Sequence, residues 1–196
     1  MKSQALPKGA RYALMALVLG CIMLGASVFI AQGVLLEPVA FEVDLKPGST
    51  RSPPFRVYVD ADYAIDLEVQ RNLPLDILNC LLGIDPGGGQ PCDSQSPVLL
   101  NWTISAADGI WASGTSADWH TGAWGSTVSR TIGGFSGKRG LEYVLEIHSL
   151  TDASALTSTE PQVVLRMNPL RSKGYLLTSY TVAWLGIAVV CGALVA

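Results

Sequence analysis

Histidine is nearly missing from this chain: His120 and His148 are the only two among 196 residues. Cysteine is scarce as well, with four residues and no Cys-x-x-Cys pair. Together these exclude the closely spaced thiolate and imidazole sets that hold zinc. No serine stands in Gly-x-Ser-x-Gly, so the nucleophile elbow of an α/β hydrolase is missing. The glycine-rich stretch Asp85-Pro86-Gly87-Gly88-Gly89 lacks the lysine and Ser/Thr of a phosphate loop and reads as a loop tip. No run of like charge marks an interaction tail. All 16 acids and ten of the 13 bases fall between residues 37 and 174, so that segment carries about −6. A surface of that sign does not neutralise phosphates, which argues against nucleic acid as a partner.

What is present is apolar. The stretches from Tyr12 to Leu36 and from Tyr175 to Ala196 contain no Asp, Glu, Lys, Arg or His. About 20 apolar residues at 1.5 Å rise cover the roughly 30 Å of a bilayer core, so both stretches are expected to be transmembrane helices. Their lack of charge argues against an ion or proton pathway. Lys2, Lys8 and Arg11 precede the first run and place residues 1–11 in the cytoplasm. The organisation expected is a cytoplasmic tail (1–11), a first transmembrane helix (12–36), a periplasmic or extracellular domain (37–174) and a second transmembrane helix (175–196). That makes a two-pass protein of the bacterial inner (plasma) membrane. Two other readings of the first run stay open. One is a signal peptide cleaved near Ala31–Gly33; the other is a lipoprotein signal at Val18-Leu19-Gly20-Cys21. Ala16 with Gly20, and Ala188 with Gly192, are small-xxx-small steps along which the two helices are expected to pack.

The middle segment changes period. Tyr63, Ile65, Leu67 and Val69 alternate with Ala64, Asp66, Glu68 and Gln70, which is a strand with one face buried. Phe41–Leu45, Pro54–Asp60, Val98–Ala106, Ile110–Ser116, Thr127–Phe135, Leu141–Leu150 and Gln162–Asn168 read as further strands. Asp108-Gly109 marks a hairpin turn, and Pro74–Gly83 is a short helix. About eight short strands with little helix predict a mainly β fold, an antiparallel β-sandwich of jelly-roll or immunoglobulin-like type. Cys80 and Cys92 flank the glycine-rich loop and would close it as a disulfide in an oxidising compartment.

Several short motifs run through this segment in order: Phe41 with Asp44, Lys46-Pro47-Gly48, Phe55-Arg56-Val57, Tyr63 with Leu67, Leu82-Gly83, Trp124-Gly125, Arg130, and Gly140-x-x-Tyr143 with Leu150. In these the chain resembles a family of uncharacterised bacterial cell-envelope proteins, many of them lipoproteins, classed only as a domain of unknown function. The resemblance implies an envelope β-sandwich and no activity. The chain departs from it in having long apolar runs where a typical relative would have a lipid anchor.

Candidate chemistry is sparse. His120 lies in a turn-like Trp119-His120-Thr121-Gly122, and His148 lies on the polar face of its strand beside Glu146. Neither has the partners a general base needs. Asp60 and Asp62 flank a turn, where carboxylates bind calcium or, more simply, hydrogen-bond the turn backbone. Asn101-Trp102-Thr103 is a glycosylation sequon inside a strand. The most distinctive group is Trp111, Trp119, His120 and Trp124. These residues either plug the open end of the sandwich or bind a protein partner or a sugar. No cofactor and no metal are expected. The function expected is a membrane-anchored, non-enzymatic envelope binding module, in one form an immunity-type or accessory factor for an envelope-acting protein. The alternatives are a structural subunit of a membrane complex using its two helices, and a carbohydrate-binding domain.

Overall fold

The computed structural model describes residues 8–31, 37–84, 97–119 and 121–195. The chain divides into two units, Leu36–Asn168 and a helical unit made from Met1–Leu35 with Pro169–Ala196.

In the helical unit, α1 (Lys8–Ala31) packs against α3 (Pro169–Val195). The contact runs through small residues. A Cβ on Gly20 would meet Val190 Cγ2 at 2.5 Å and the Gly186 carbonyl at 3.1 Å, so glycine is what lets the helices approach. Farther along, Ser27 Oγ donates to the Ser179 carbonyl (3.1 Å) and Ser179 Oγ donates to the Ser27 carbonyl (2.9 Å), with both side chains buried. Gly20 therefore lies on the seam, and Ala16, one turn earlier, is half-buried. Ala188 and Gly192 do not lie on it: both are exposed, and nothing approaches a Cβ on Gly192 within 4 Å. Gly186 takes that role in α3, while large apolar residues such as Leu14, Met15, Leu177 and Trp184 point outward.

Among the described residues, no helix is long and apolar enough to cross a membrane. This overturns the two flanking transmembrane helices, and with them the two-pass inner-membrane placement with a periplasmic domain. The helices do not coincide with the uncharged runs: α1 begins at Lys8 and includes Arg11, and α3 begins at Pro169 and includes Arg171 and Lys173. No disulfide has both of its cysteines among the described residues. Cys21 and Cys191 are free thiols. Cys80 is not free, and its expected partner Cys92 lies outside the described residues.

The unit Leu36–Asn168 is mainly β. Its strands are β1 (Val39–Glu42), β2 (Gly48–Arg51), β3 (Phe55–Arg56), β4 (Ala61–Gln70), β5 (Leu100–Ala106), β6 (Gly109–Thr115), β7 (Gly122–Trp124), β8 (Thr127–Gly137), β9 (Glu142–Ser149) and β10 (Gln162–Met167). One antiparallel sheet has the order β1-β10-β4-β8-β7, the other β2-β9-β5-β6, with β3 also on β9. The pairs β5:β6, β4:β8, β2/β3:β9 and β1:β10 are nested, each enclosing the one before. A long hairpin with the β5–β6 turn at its tip, rolled into two sheets, gives this order. That is a jelly roll, one of the two sandwich types the strand pattern allows.

The sequence explains each element locally. β4 buries Tyr63, Ile65, Leu67 and Val69 as its alternation requires. In α2 (Leu75–Leu82) the chain enters through Pro74 and leaves through Gly83, whose φ of 71° is the left-handed cap that glycine adopts without strain. β3 is much shorter than the expected Pro54–Asp60 because the chain bends away after Arg56: the Val57 carbonyl accepts the Gly140 N–H (3.1 Å) and the Val59 carbonyl accepts from the Tyr63 hydroxyl (3.1 Å). Ahead of β3, Ser52 Oγ accepts the Leu145 N–H (3.0 Å) in place of a backbone carbonyl. Between the sheets, Phe135 of β8 meets Tyr143 of β9 edge to face at 5.5 Å. Trp102 of β5 fills a slot between Gly114 and Gly133.

Candidate functional site

The segment from β6 to β7 carries three of the five tryptophans. β6 is an edge of one sheet and β7 an edge of the other, so this single stretch spans both edges on one side of the sandwich. Between them lies a short 3₁₀ turn, Ser116–Asp118, capped by Thr115 Oγ1, which accepts from the Ala117 N–H.

The three indoles differ in role. Trp111 sits where β6 carries one extra residue against β5, between the pairs Ile104–Ala112 and Ser105–Ile110. Its ring stands edge-on to Tyr143 at 5.8 Å, its Nε1 donates to the Ser136 carbonyl of the opposite sheet at 2.9 Å, and Lys138 Nζ lies over it at 5.6 Å. Trp111 thus bridges the two sheets while remaining 37% exposed. Trp124 ends β7. Its Nε1 donates to Asn79 Oδ1 of α2 (2.9 Å), yet half of its surface is open to solvent, 50%. Trp119 follows the 3₁₀ turn and is 39% exposed; a Cβ on Gly134 would reach its ring edge at 3.9 Å, so it lies across β8. His120 lies outside the described residues.

The anchor of this region is Arg130, which sequence reasoning passed over except as part of a family resemblance. It points between the sheets and is 3% exposed. Its guanidinium donates to four backbone carbonyls: Trp119 (3.0 Å), Ser116 (2.6 Å), Val98 (3.1 Å) and Leu82. Leu82 is the last residue of α2, whose carbonyl end favours a cation. Among the described residues no carboxylate pairs with it, and burial pulls its pKa below the ordinary arginine value. One cation therefore ties α2, the lead into β5, the 3₁₀ turn and the Trp119 backbone together. A signal was available: Val128, Arg130 and Ile132 alternate, so Arg130 occupies an inward register.

A second polar group lies on the β4–β10 pair. Arg166 bonds Glu37 (2.8 Å) and Glu68, while Asp66 Oδ2 stands 3.7 Å away. Burial raises the Asp66 pKa above its ordinary 3.8, more than the Thr131 hydroxyl (2.8 Å) and the distant Arg166 lower it. For Arg166 burial acts downward, but the bonds to Glu37 and Glu68 outweigh it and the net shift is upward. The arginine's charge is engaged by those two carboxylates, which leaves Asp66 undercompensated. With a folded pKa above the unfolded one, the native state holds the proton more tightly. Stability is then full below the ordinary value and falls as pH rises through the folded value. We expect Asp66→Asn, whose Oδ1 still accepts from Thr131, to raise the urea midpoint slightly at pH 7, within about 1 kcal/mol, and to leave it unchanged near pH 3.

The other expected sites are structural. Asp60 Oδ1 accepts the Arg139 N–H (2.6 Å) and Asp62 Oδ1 accepts from the Ser136 hydroxyl (2.5 Å), so both bind turns and a neighbouring strand. His148 Nδ1 is 3.0 Å from Ser49 Oγ across the β2–β9 pair, and the imidazole is exposed on that face. Among the described residues no group of three or more His, Cys, Asp or Glu is placed to hold a metal.

Fold and site together define a jelly-roll β domain with an aromatic edge. No protein-family model matches the chain, and no curated protein matches it. Among solved structures, it is similar to a crystal structure of a protein from Sulfurospirillum deleyianum at 17% identity and a TM-score of 0.48, over 67% of this chain and 98% of that one.

Proposed function

We propose that the jelly roll is a non-enzymatic binding module that presents the segment from Trp111 to Trp124 to a protein partner. The observation that carries this is the pairing of exposure with fixation. Trp119 and Trp124 keep 39% and 50% of their surface in solvent, yet the Trp119 carbonyl is held by Arg130 and the Trp124 indole by Asn79. A large aromatic side chain held in place loses little freedom on binding, and such residues dominate the energy of protein interfaces. The domain's net negative charge suits a partner that is not nucleic acid.

Alanine at these positions separates binding from folding. Trp124→Ala leaves the buried Asn79 carbonyl oxygen without its donor and is expected to cost about 1 kcal/mol of stability. Trp119→Ala is expected to cost less. Each should reduce recovery of a cross-linked partner from intact cells at least tenfold. Recovery unchanged in both variants would remove the reading. Binding on a glycan array that is lost on Trp119→Ala would replace it with the carbohydrate alternative.

A further inference from the structure

The four sheet edges of the jelly roll are not treated alike. β1 is four residues long and ends in Glu42. The β2–β3 edge is broken by Pro53-Pro54 and carries Arg51 and Arg56. β7 has only three residues. Shortness, charge and proline are the usual devices that stop one sheet edge from pairing with another chain. β6 has none of them. It runs for seven residues, Gly-Ile-Trp-Ala-Ser-Gly-Thr, without charge or proline, and five of the seven are exposed. Among the described residues, no backbone group of β6 bonds anything but β5. Its one irregularity, the extra residue at Trp111, leaves Ala112–Thr115 in regular register with Asn101–Ile104. Alternation from the closing pair Ala106–Gly109, with one step for the bulge, turns the Ser113 backbone outward.

We infer that Ala112–Thr115 of β6 is a docking edge that takes up an extended peptide segment of a partner as a further strand, with main-chain hydrogen bonds supplying the affinity. What fits there is set by what the edge offers. Its backbone demands an extended strand. The stretch from Ala106 to Asp118 contains Asp108 and Asp118 and no base, and the domain as a whole is acidic, so the partner segment is neutral in the middle and basic at its ends. A second copy of this chain would set the same acidic flanks against each other. The inference rests on the proposed function only for the side of the sandwich involved, and it assigns the mode of recognition.

Two fluorescent peptides test it on the full chain: Lys-Thr-Val-Thr-Val-Thr-Lys and its counterpart with Glu at both ends. Anisotropy reports binding and amide hydrogen exchange reports where. The basic-ended peptide should bind at least tenfold more tightly and slow exchange in Ala112–Thr115 at least tenfold. Ser113→Pro should abolish both effects while keeping the urea midpoint. Ser113→Lys, which leaves the backbone intact, should reverse the preference between the two peptides. Protection that survives in a Trp119→Ala/Trp124→Ala double variant supports edge pairing and counts against the tryptophan anchors. No protection at β6 from either peptide at millimolar concentration overturns the inference. Protection that appears without peptide as protein concentration rises also overturns it, because the occupant is then a second copy.

Discussion

Arg130→Met is expected to destabilise the β unit by about 3–5 kcal/mol, because several buried acceptors lose their donor at once. Methionine fills the space but leaves the carbonyls of Leu82, Val98, Ser116 and Trp119 without a donor. Each buried acceptor left unpaired costs about 1–3 kcal/mol, less where the chain relaxes to admit water. Against a typical total of about 5–15 kcal/mol, that loss is a large share of the whole. Lysine keeps the charge but presents a compact ammonium instead of a planar fork, so Arg130→Lys should recover less than half of it. Urea unfolding of the full chain, followed by tryptophan fluorescence, measures both variants. Hydrogen exchange adds a local signature: amides in α2 and in the turn Ser116–Asp118 should open before those of β4. A uniform loss across the unit, or a loss below about 1 kcal/mol as at an ordinary surface site, would show that Arg130 is not the tie described here.

Gly133→Ala is the other large effect. A Cβ at this position runs into Nε1 and Cε2 of Trp102, and the far side of the same indole lies against Gly114, where a Cβ would come within 2.6 Å. The ring has nowhere to move, because glycine bounds it on both sides. Overpacking of this kind costs about 1–3 kcal/mol and more where neighbours are rigid. We expect the upper end of that range. Trp102 Nε1 is also buried with no hydrogen-bond partner among the described residues, so Trp102→Phe removes an unsatisfied donor along with some packing and should cost less than Gly133→Ala. The double variant Gly133→Ala/Trp102→Phe should be more stable than Gly133→Ala alone. A double-mutant cycle that closes to within about 0.5 kcal/mol would mean the two sites do not touch.

These two positions also show how much the sequence reveals. Trp102 is legible as inward, since Val98, Leu100, Trp102 and Ile104 share one face. The slot it fills is not legible, because it depends on a bulge in β8: Ile65 pairs Gly133 and Asp66 pairs Thr131, which leaves Ile132 as the extra residue. Alternation is local and survives in sequence. Bulges and cross-sheet contacts depend on partners far along the chain. β2 and β7 have weak signatures for a related reason: Gly48–Arg51 and Gly122–Trp124 are short and begin with glycine, which marks turns. The Asp66–Arg166–Glu37 group joins three separate parts of the chain and has no local signature at all. The tryptophan segment lay in plain view, but not the division of labour within it, with Trp111 bridging the two sheets, Trp119 lying across β8 and Trp124 bonded to α2. The apolar end segments differ most from expectation. Their helix–helix seam at Gly20–Gly186 and Ser27–Ser179 joins positions far apart in the chain and has no local signature.

The recognition surface can be tested at single residues. A photo-activatable phenylalanine analogue placed at Trp124, at Trp119, or at His148 on the β2–β9 face probes two separate regions of the jelly roll in intact cells. The account predicts a discrete adduct of the same size from positions 119 and 124 and none from 148. Adducts from 148 alone, or no adduct from either tryptophan position while the labelled protein is folded and abundant, would contradict it.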